Sequence, residues 1–224
     1  MVSIIIPCYN EANYIEATLN NCLLQKGKFE IIVVDGGSTD NTIKIVEKYS
    51  NVHLISATKG RASQLNNGTE IAIGSIFLFL HADTLLPPRA IETINNTFSN
   101  TNVIGGSFYL KFNRPHFLLA LYTKLSKINH SFFTYGDHGI FISKQVFHEI
   151  GGFKNISFME DAEIQKYARK KGKFVKLNLG VETSVRRFEK FGYYKQFFQD
   201  MIFAILFKIG IKPDRLKQFY PDHS

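Results

Sequence analysis

The apolar run Phe77-Leu78-Phe79-Leu80 breaks directly into His81-Ala82-Asp83-Thr84, followed by Leu85-Leu86-Pro87-Pro88. A short, bulky run bounded by Gly74-Ser75 and two prolines reads as a strand buried on both faces, so Asp83 stands at its carboxyl end. Ligands bind at that edge of open α/β sheets, and a carboxylate beside an imidazole there suits a divalent cation bridging a diphosphate. A turn acid or helix cap ahead of the prolines is the competing reading. After the first apolar run stands Pro7-Cys8-Tyr9-Asn10-Glu11, where Tyr9 could pack on a base and Glu11 accept from a ribose hydroxyl. Alternatively, Asn10 and Glu11 only start a helix. The glycine fingerprint of a dinucleotide enzyme is missing there, which disfavours a nicotinamide dehydrogenase.

Further along, Asp35 precedes Gly36-Gly37-Ser38 and reads either as an acceptor for a nucleobase N–H or as the acid of a tight turn. Asp40 reads as a cap. Lys59-Gly60-Arg61 sets cations at a helix start, a natural anion site and also an ordinary surface feature. Met159-Glu160-Asp161-Ala162-Glu163 crowds carboxylates into a helix start; one acid there answers the helix dipole, and another could serve as a general base. Arg186-Arg187 pairs guanidinium groups suited to a departing diphosphate, or to a solvated basic loop.

The elements that must position these groups alternate. Strands are expected at Val2 to Ile6, Phe29 to Val34, Val52 to Ser56 and the run ending at Leu80, with helices between them. The first helix carries Ile15, Leu19, Cys22 and Leu23 on one face; Ile43 and Val46 mark the second, and the third runs from Gly60 to about Ala72. This βαβαβαβ order predicts a mostly parallel sheet covered on both faces. Later strands are expected at Val103 to Phe112 and Gly139 to Ser143, then a short helix ended by Gly151-Gly152. Between them Phe117, Leu118, Leu121, Leu125 and Ile128 recur at helical spacing.

The 224 residues, 45% hydrophobic, fit one domain; Cys8 and Cys22 are expected as buried thiols, with neither zinc site nor disulfide framework. A net charge of +8 predicts attraction to anions, whether nucleic acid, anionic lipid or phosphorylated small molecules. An acidic cleft, in place of a basic face with stacking aromatics, argues against nucleic acid. The chain enters an apolar strand at once, so a cytoplasmic location is expected, with the inner face of the membrane left open.

Taken in order, Ser3-Ile4-Ile5-Ile6-Pro7 with Asn10-Glu11, Ile31 to Asp40, Gly60 to Gly68, Phe79 to Pro88 and Glu160-Asp161 resemble the family 2 glycosyltransferases. Gly136-Asp137-His138-Gly139-Ile140-Phe141, Gly151-Gly152-Phe153, Thr183 to Phe188 and Gly210 to Tyr220 resemble a small subgroup often labelled "transferase 2, radical-SAM/selenodomain-associated" or linked to arsenosugar biosynthesis. The resemblance implies a GT-A fold, an α/β domain with a mixed, mostly parallel sheet. It implies a nucleotide-sugar-binding half at 1–100, an acceptor and catalytic half at 101–185 and an amphipathic helical tail at 186–224. It further implies transfer of one sugar, with inversion, from a nucleotide-diphosphate sugar to a hydroxyl acceptor. Pro7, Tyr9, Glu11, Asp35, Gly60, Arg61 and Ala82 would line the donor site, and Asp83 would hold Mg²⁺ or Mn²⁺. Asp161 would be the base, Glu160 would orient the acceptor, and Arg186 or Arg187 would face the leaving diphosphate.

Two features depart from the family pattern. Where the family commonly has Asp-x-Asp this chain has His81-Ala82-Asp83, so His81 supplies a metal ligand or the metal leans on Asp83 alone. The Gln-x-x-Arg-Trp pattern of processive members is missing around Ser184 to Phe188, which implies single-sugar transfer. Phe197 to Ile211 is apolar but interrupted by Asp200 and Lys208 and short of the ~20 residues a bilayer requires. With its surrounding cations it could lie on an anionic membrane, pack against the catalytic domain or meet a second subunit, and a lipid-linked acceptor would suit such a surface. A sugar-nucleotide-forming nucleotidyltransferase and a non-catalytic membrane-surface module of the same fold are the alternatives.

Overall fold

In the computed structural model, residues 1–99, 102–156 and 159–217 are described. Apolar, β-branched runs build β1 (Val2–Cys8), β2 (Phe29–Asp35), β3 (Val52–Ser56) and β4 (Ile76–Phe79), which pair in parallel in the order β3-β2-β1-β4. The sheet continues through β7 (Ile140–Ser143), β6 (Val103–Phe112), β8 (Lys173–Thr183) and the short β5 (Thr84–Leu85). β7 runs against both of its neighbours and β5 runs against β8, whereas β6 and β8 are parallel to each other. The result is the mixed, mostly parallel GT-A-like sheet expected, with residues of both expected halves in one sheet.

Alternation along β1 divides the core. Val2, Ile4 and Ile6 pack on one side with Ile15, Leu19 and Cys22 of α1 (Ile15–Leu23), while Ile5 faces Ala62 and Leu65 of α3 (Arg61–Ile71). Leu23, expected on the buried face of α1, is 37% exposed; it follows Cys22 by one position, and that 100° turn carries it past the sheet. Gly68 lets α3 lie close to the sheet, since a Cβ there would come within 2.5 Å of Ile5 Cγ2. The N-cap of α2 (Thr42–Val46) is Asn41; Asp40, expected as a cap, stands one residue earlier and accepts from the Thr42 and Ala12 backbone N–H groups, closing the turn ahead of the helix.

Two devices fix the carboxyl edge of the sheet. Gln64 of α3 is buried, and its Nε2 donates to Cys8 O and Val34 O at 2.8 Å each, tying the ends of β1 and β2 together. Thr18, Asn21 and Gln25 lie along one side of α1 and just beyond its end. They bond the backbone of Ala82, Leu86, Pro87 and Ala90, clamping the segment that leaves β4. That segment leads into α4 (Ala90–Ser99), a helix not expected from the sequence.

The second half adds α5 (Phe117–Ser126), α6 (Lys144–Glu149) and α7 (Glu160–Lys171), then α8 (Arg186–Phe191), α9 (Tyr193–Lys208) and α10 (Pro213–Lys217). The expected stripe on α5 is turned: Leu118 and Leu119 are buried, whereas Phe117, Leu121 and Ile128 are exposed. Leu118 and Leu119 pack with Val185, Phe188 and Phe197, and Met159, Ala162, Phe203 and Leu216 form a further cluster that seats α9 on the start of α7. Among the described residues no helix is long and apolar enough to cross a membrane.

Candidate active site

The carboxyl ends of β1 and β4 meet where the strand order reverses, and a cavity of about 400 Å³ opens there, closed from the far side by α5, α7, α8 and α9. The structure brings Pro7, Tyr9, Glu11, Gly60, Arg61, His81, Ala82, Asp83, Glu160, Asp161, Arg186 and Arg187 into its wall. Asp35 is different. It is 1% exposed, its Oδ2 accepts from the Gly37 and Ser38 N–H groups, and Cys8 Sγ lies 3.7 Å from its Oδ1. It therefore closes its own Asp-Gly-Gly turn and is not brought into the cavity wall.

The loops after β1 and β2 are laced together. Asn10, held at φ 56°, accepts from Thr39 N, while its own N–H donates to Ser38 Oγ and that of Glu11 to Thr42 Oγ1. Tyr9 carries Lys59 Nζ 3.7 Å from its ring centroid. Glu11, expected as a hydroxyl acceptor, spends both oxygens on Arg186 at 2.6 and 2.7 Å, and Arg186 Nε reaches Asp83 Oδ2 at 3.3 Å. One guanidinium from the first turn of α8 thus joins a carboxylate after β1 to one after β4, and these acids hold it firmly protonated against its burial. Arg187 pairs with Asp200 of α9 at 3.0 Å.

Asp161 sits in the first turn of α7, behind Met159 at φ 62°, a left-handed conformation that costs a residue with a Cβ about 1 kcal/mol or more. Its Oδ1 accepts from Ala162 N at 2.7 Å and its Oδ2 from Gly136 N, in the 3₁₀ turn Gly136–His138. Each oxygen keeps further acceptor capacity beyond the bond it accepts from backbone. Burial first, then the Glu160 charge, pushes the Asp161 carboxyl up to about 6, against Arg61 and the two N–H donors. Arg61 meets Glu160 at 3.2 Å. Gly136 is where two groups converge: a Cβ there would lie 2.9 Å from both Asp161 Oδ2 and His81 Nε2. Burial and the nearby Arg61, Arg186 and Arg187 keep the His81 imidazole neutral, its pKa well below the usual value.

The cavity wall carries six carboxylates, Glu11, Asp83, Asp137, Glu160, Asp161 and Asp200, against four cationic side chains, Lys59, Arg61, Arg186 and Arg187. Asp137 Oδ1 is buried without a hydrogen-bond partner, and burial beside Asp161 pushes that carboxyl up to about 7. Acid surplus in the wall and a neutral imidazole two residues from Asp83 fit a divalent cation. Among the described residues no three such side chains converge as a closed metal cage, so His81 and Asp83 would leave most of the coordination shell to ligand oxygens and water. Tyr135, Asp137 and Asp200 were not picked out for the wall from sequence. A signal existed for Asp200: it is the one acid in a helix rich in Phe, Ile and Leu, and it is turned inward and bonded to Gln196 one turn before it.

The profile of glycosyl transferase family 2 matches residues 3–158. The uncharacterized glycosyltransferase MG025 of Mycoplasma genitalium is 27% identical over 176 residues, covering 72% of this chain and 59% of that protein. Among solved structures, the mannosyltransferase PcManGT from Pyrobaculum calidifontis, in complex with GDP-Man and Mn²⁺, superposes with a TM-score of 0.72 at 22% identity, over 97% of this chain and 67% of that one. S. aureus TarS 1-349 in complex with UDP-GlcNAc gives 0.67 at 20% identity, over 82% and 58%. This chain spans less than two thirds of the Mycoplasma protein's length, and the structural likenesses show the fold.

Proposed function

The chain belongs to glycosyl transferase family 2, and from that premise we propose that it moves one sugar, with inversion, from a nucleotide-diphosphate sugar to an acceptor hydroxyl. The observation that carries this reading is the convergence of Asp161 and His81 on Gly136, which sets a raised-pKa carboxylate beside the His81-Ala82-Asp83 corner in one cavity. The acceptor oxygen attacks the anomeric carbon as its proton passes to Asp161, and the bond from that carbon to the diphosphate oxygen breaks on the opposite face. The leaving nucleoside diphosphate takes the electron pair. Asp161 suits the base because its two backbone donors fix the carboxylate while burial keeps it a competent proton acceptor.

Pro7, Tyr9, Gly60 and Arg61 shape the nucleotide side, with Glu11 acting through Arg186 and Asp35 through the turn it closes. Asp83 and His81 would hold Mg²⁺ or Mn²⁺, and the bound cation would neutralise charge on the diphosphate. Arg186 and Arg187 add fixed positive charge where that diphosphate departs. Glu160, held by Arg61, would orient the acceptor. The Gly136 to Phe141 and Gly151 to Phe153 motifs support placement in the radical-SAM/selenodomain-associated subgroup, and the residues around Ser184 to Phe188 support single-sugar transfer.

The test is release of nucleoside diphosphate from GDP-mannose and UDP-N-acetylglucosamine with Mn²⁺ and water as acceptor. Asp161→Asn should lower release at least ~10²-fold. The thermal shift given by the nucleoside diphosphate should be retained, because donor affinity is untouched. Unchanged release by the variant would remove Asp161 from the mechanism.

A further inference from the structure

α9 is apolar on both sides: Phe197, Phe203 and Ala204 are buried against the domain, and a second apolar stripe faces outward. Its outward side carries Tyr194, Phe198, Ile202, Ile205 and Ile209, the last 70% exposed, at steps of four, four, three and four residues, a single stripe. Its inward side buries polar Gln196 and holds Asp200 against Arg187. α5 and the turn that follows it add Phe117, 61% exposed, Leu121 and Ile128 on the outward side, while Leu118 and Leu119 pack inward. The two stripes join where the Phe117 and Tyr194 rings lie 5.8 Å apart. The charges on this surface have one sign: Lys124, Lys127, Lys195 and Lys208 are exposed, and the sole acid of the two helices, Asp200, faces inward.

We propose that the outward face of α5 and α9 docks on the surface of an anionic phospholipid bilayer. Apolar side chains flanked by lysines are what an interfacial helix presents, the rings and Ile side chains entering the acyl boundary while the ammonium groups meet lipid phosphates. A second copy fits less well, because a two-fold contact through this face would set the same lysines against one another. The inner sides of both helices reach the cavity through Tyr122, Asp200 and Phe203, so docking would hold the cavity beside the interface. The inference is independent of the roles assigned to Asp161 and the metal ligands.

Vesicle flotation of the full chain tests it. At about 0.1 M salt the protein should float with phosphatidylcholine vesicles containing phosphatidylglycerol and not with phosphatidylcholine alone; at about 1 M, where the screening length falls to ~3 Å, binding should weaken strongly. Ile202→Asp with Ile205→Asp should abolish flotation while leaving Tm and donor hydrolysis in water near the parent's, since neither residue lines the cavity. Lys124→Gln with Lys195→Gln should weaken binding roughly 25-fold, about fivefold per lysine. The proposal is overturned if the parent ignores anionic vesicles, if it binds neutral ones equally, or if the Ile variants float as the parent does. A stable dimer in sedimentation that the Ile variants dissociate, without flotation, would overturn it in favour of a second copy.

Discussion

Gly136→Ala offers a test whose size follows from two distances. Gly136 is not in a left-handed conformation, so alanine is sterically allowed by the backbone and only the space around its Cβ matters. That Cβ would stand 2.9 Å from Asp161 Oδ2 and 2.9 Å from His81 Nε2, roughly 0.6 Å inside the ~3.5 Å optimum for non-bonded heavy atoms. Neither neighbour retreats freely. Asp161 is held at its other oxygen by Ala162 N, and His81 precedes Ala82, whose carbonyl accepts from Thr18. The N–H of residue 136 is itself a donor to Asp161, so any shift of that turn also moves the carboxylate. Overpacking of this kind costs about 1–3 kcal/mol, which for a chain of this size lowers Tm by roughly 2–12 °C. The displacement needed is between half and one ångström, and misplacing reacting groups by ~1 Å costs about a hundredfold in rate. Differential scanning fluorimetry and donor-hydrolysis kinetics read the two effects separately. A kcat within about twofold of the parent would refute the claim that Gly136 spaces two reacting groups, whatever happens to Tm, because the turn would then have absorbed the methyl without moving either.

The pH profile carries its own sign. As the proposed base Asp161 must be ionised to accept a proton, and its pKa is raised to about 6, so kcat/KM should rise about tenfold per pH unit below 6 and level off above it. An acidic limb near 4 would mean that the base is a solvated carboxylate elsewhere. His81→Ala should raise the Mn²⁺ concentration for half-maximal donor hydrolysis at least about tenfold, the low end of the loss seen for merely supporting groups. His81→Asp should restore Mn²⁺ affinity, and an unchanged Mn²⁺ dependence in the alanine variant would leave Asp83 as the lone protein ligand.

The strands and first helices were legible because their signals are local. β1, β2 and β4 are short apolar runs closed by turn residues, and the groups at their carboxyl ends could be placed before any contact was known. What stayed hidden depends on distance in the chain. The Glu11–Arg186 pair spans 175 positions, and nothing in either segment marks the other. Asp35 was open to two readings, ligand or turn acid, and its carboxylate is taken by the amides two and three residues on. The α5 stripe was legible as a helix and not as a face, because periodicity locates an apolar stripe without saying whether protein, lipid or water lies against it. α4 went unread beside the prolines, although Ile91 and Ile94 pack it into the core.

Charge is distributed against the average of the chain, and that contrast bears on how the site works. A net charge of +8 favours approach of anions, yet the cavity wall itself carries more carboxylates than cations. A diphosphate entering alone would meet Asp83, Glu160 and Asp161 without enough positive charge to offset them. Arg186 cannot supply the difference alone, because it is already held by Glu11 and Asp83. Two resolutions exist: Arg186 exchanges Asp83 for the diphosphate, or a cation arrives with the donor at Asp83 and the neutral His81. They differ in a measurable way. Exchange predicts that Arg186→Gln weakens nucleoside diphosphate binding equally with and without Mn²⁺. If instead the cation takes Asp83 from Arg186, the variant should bind Mn²⁺ more tightly, its Asp83 no longer shared.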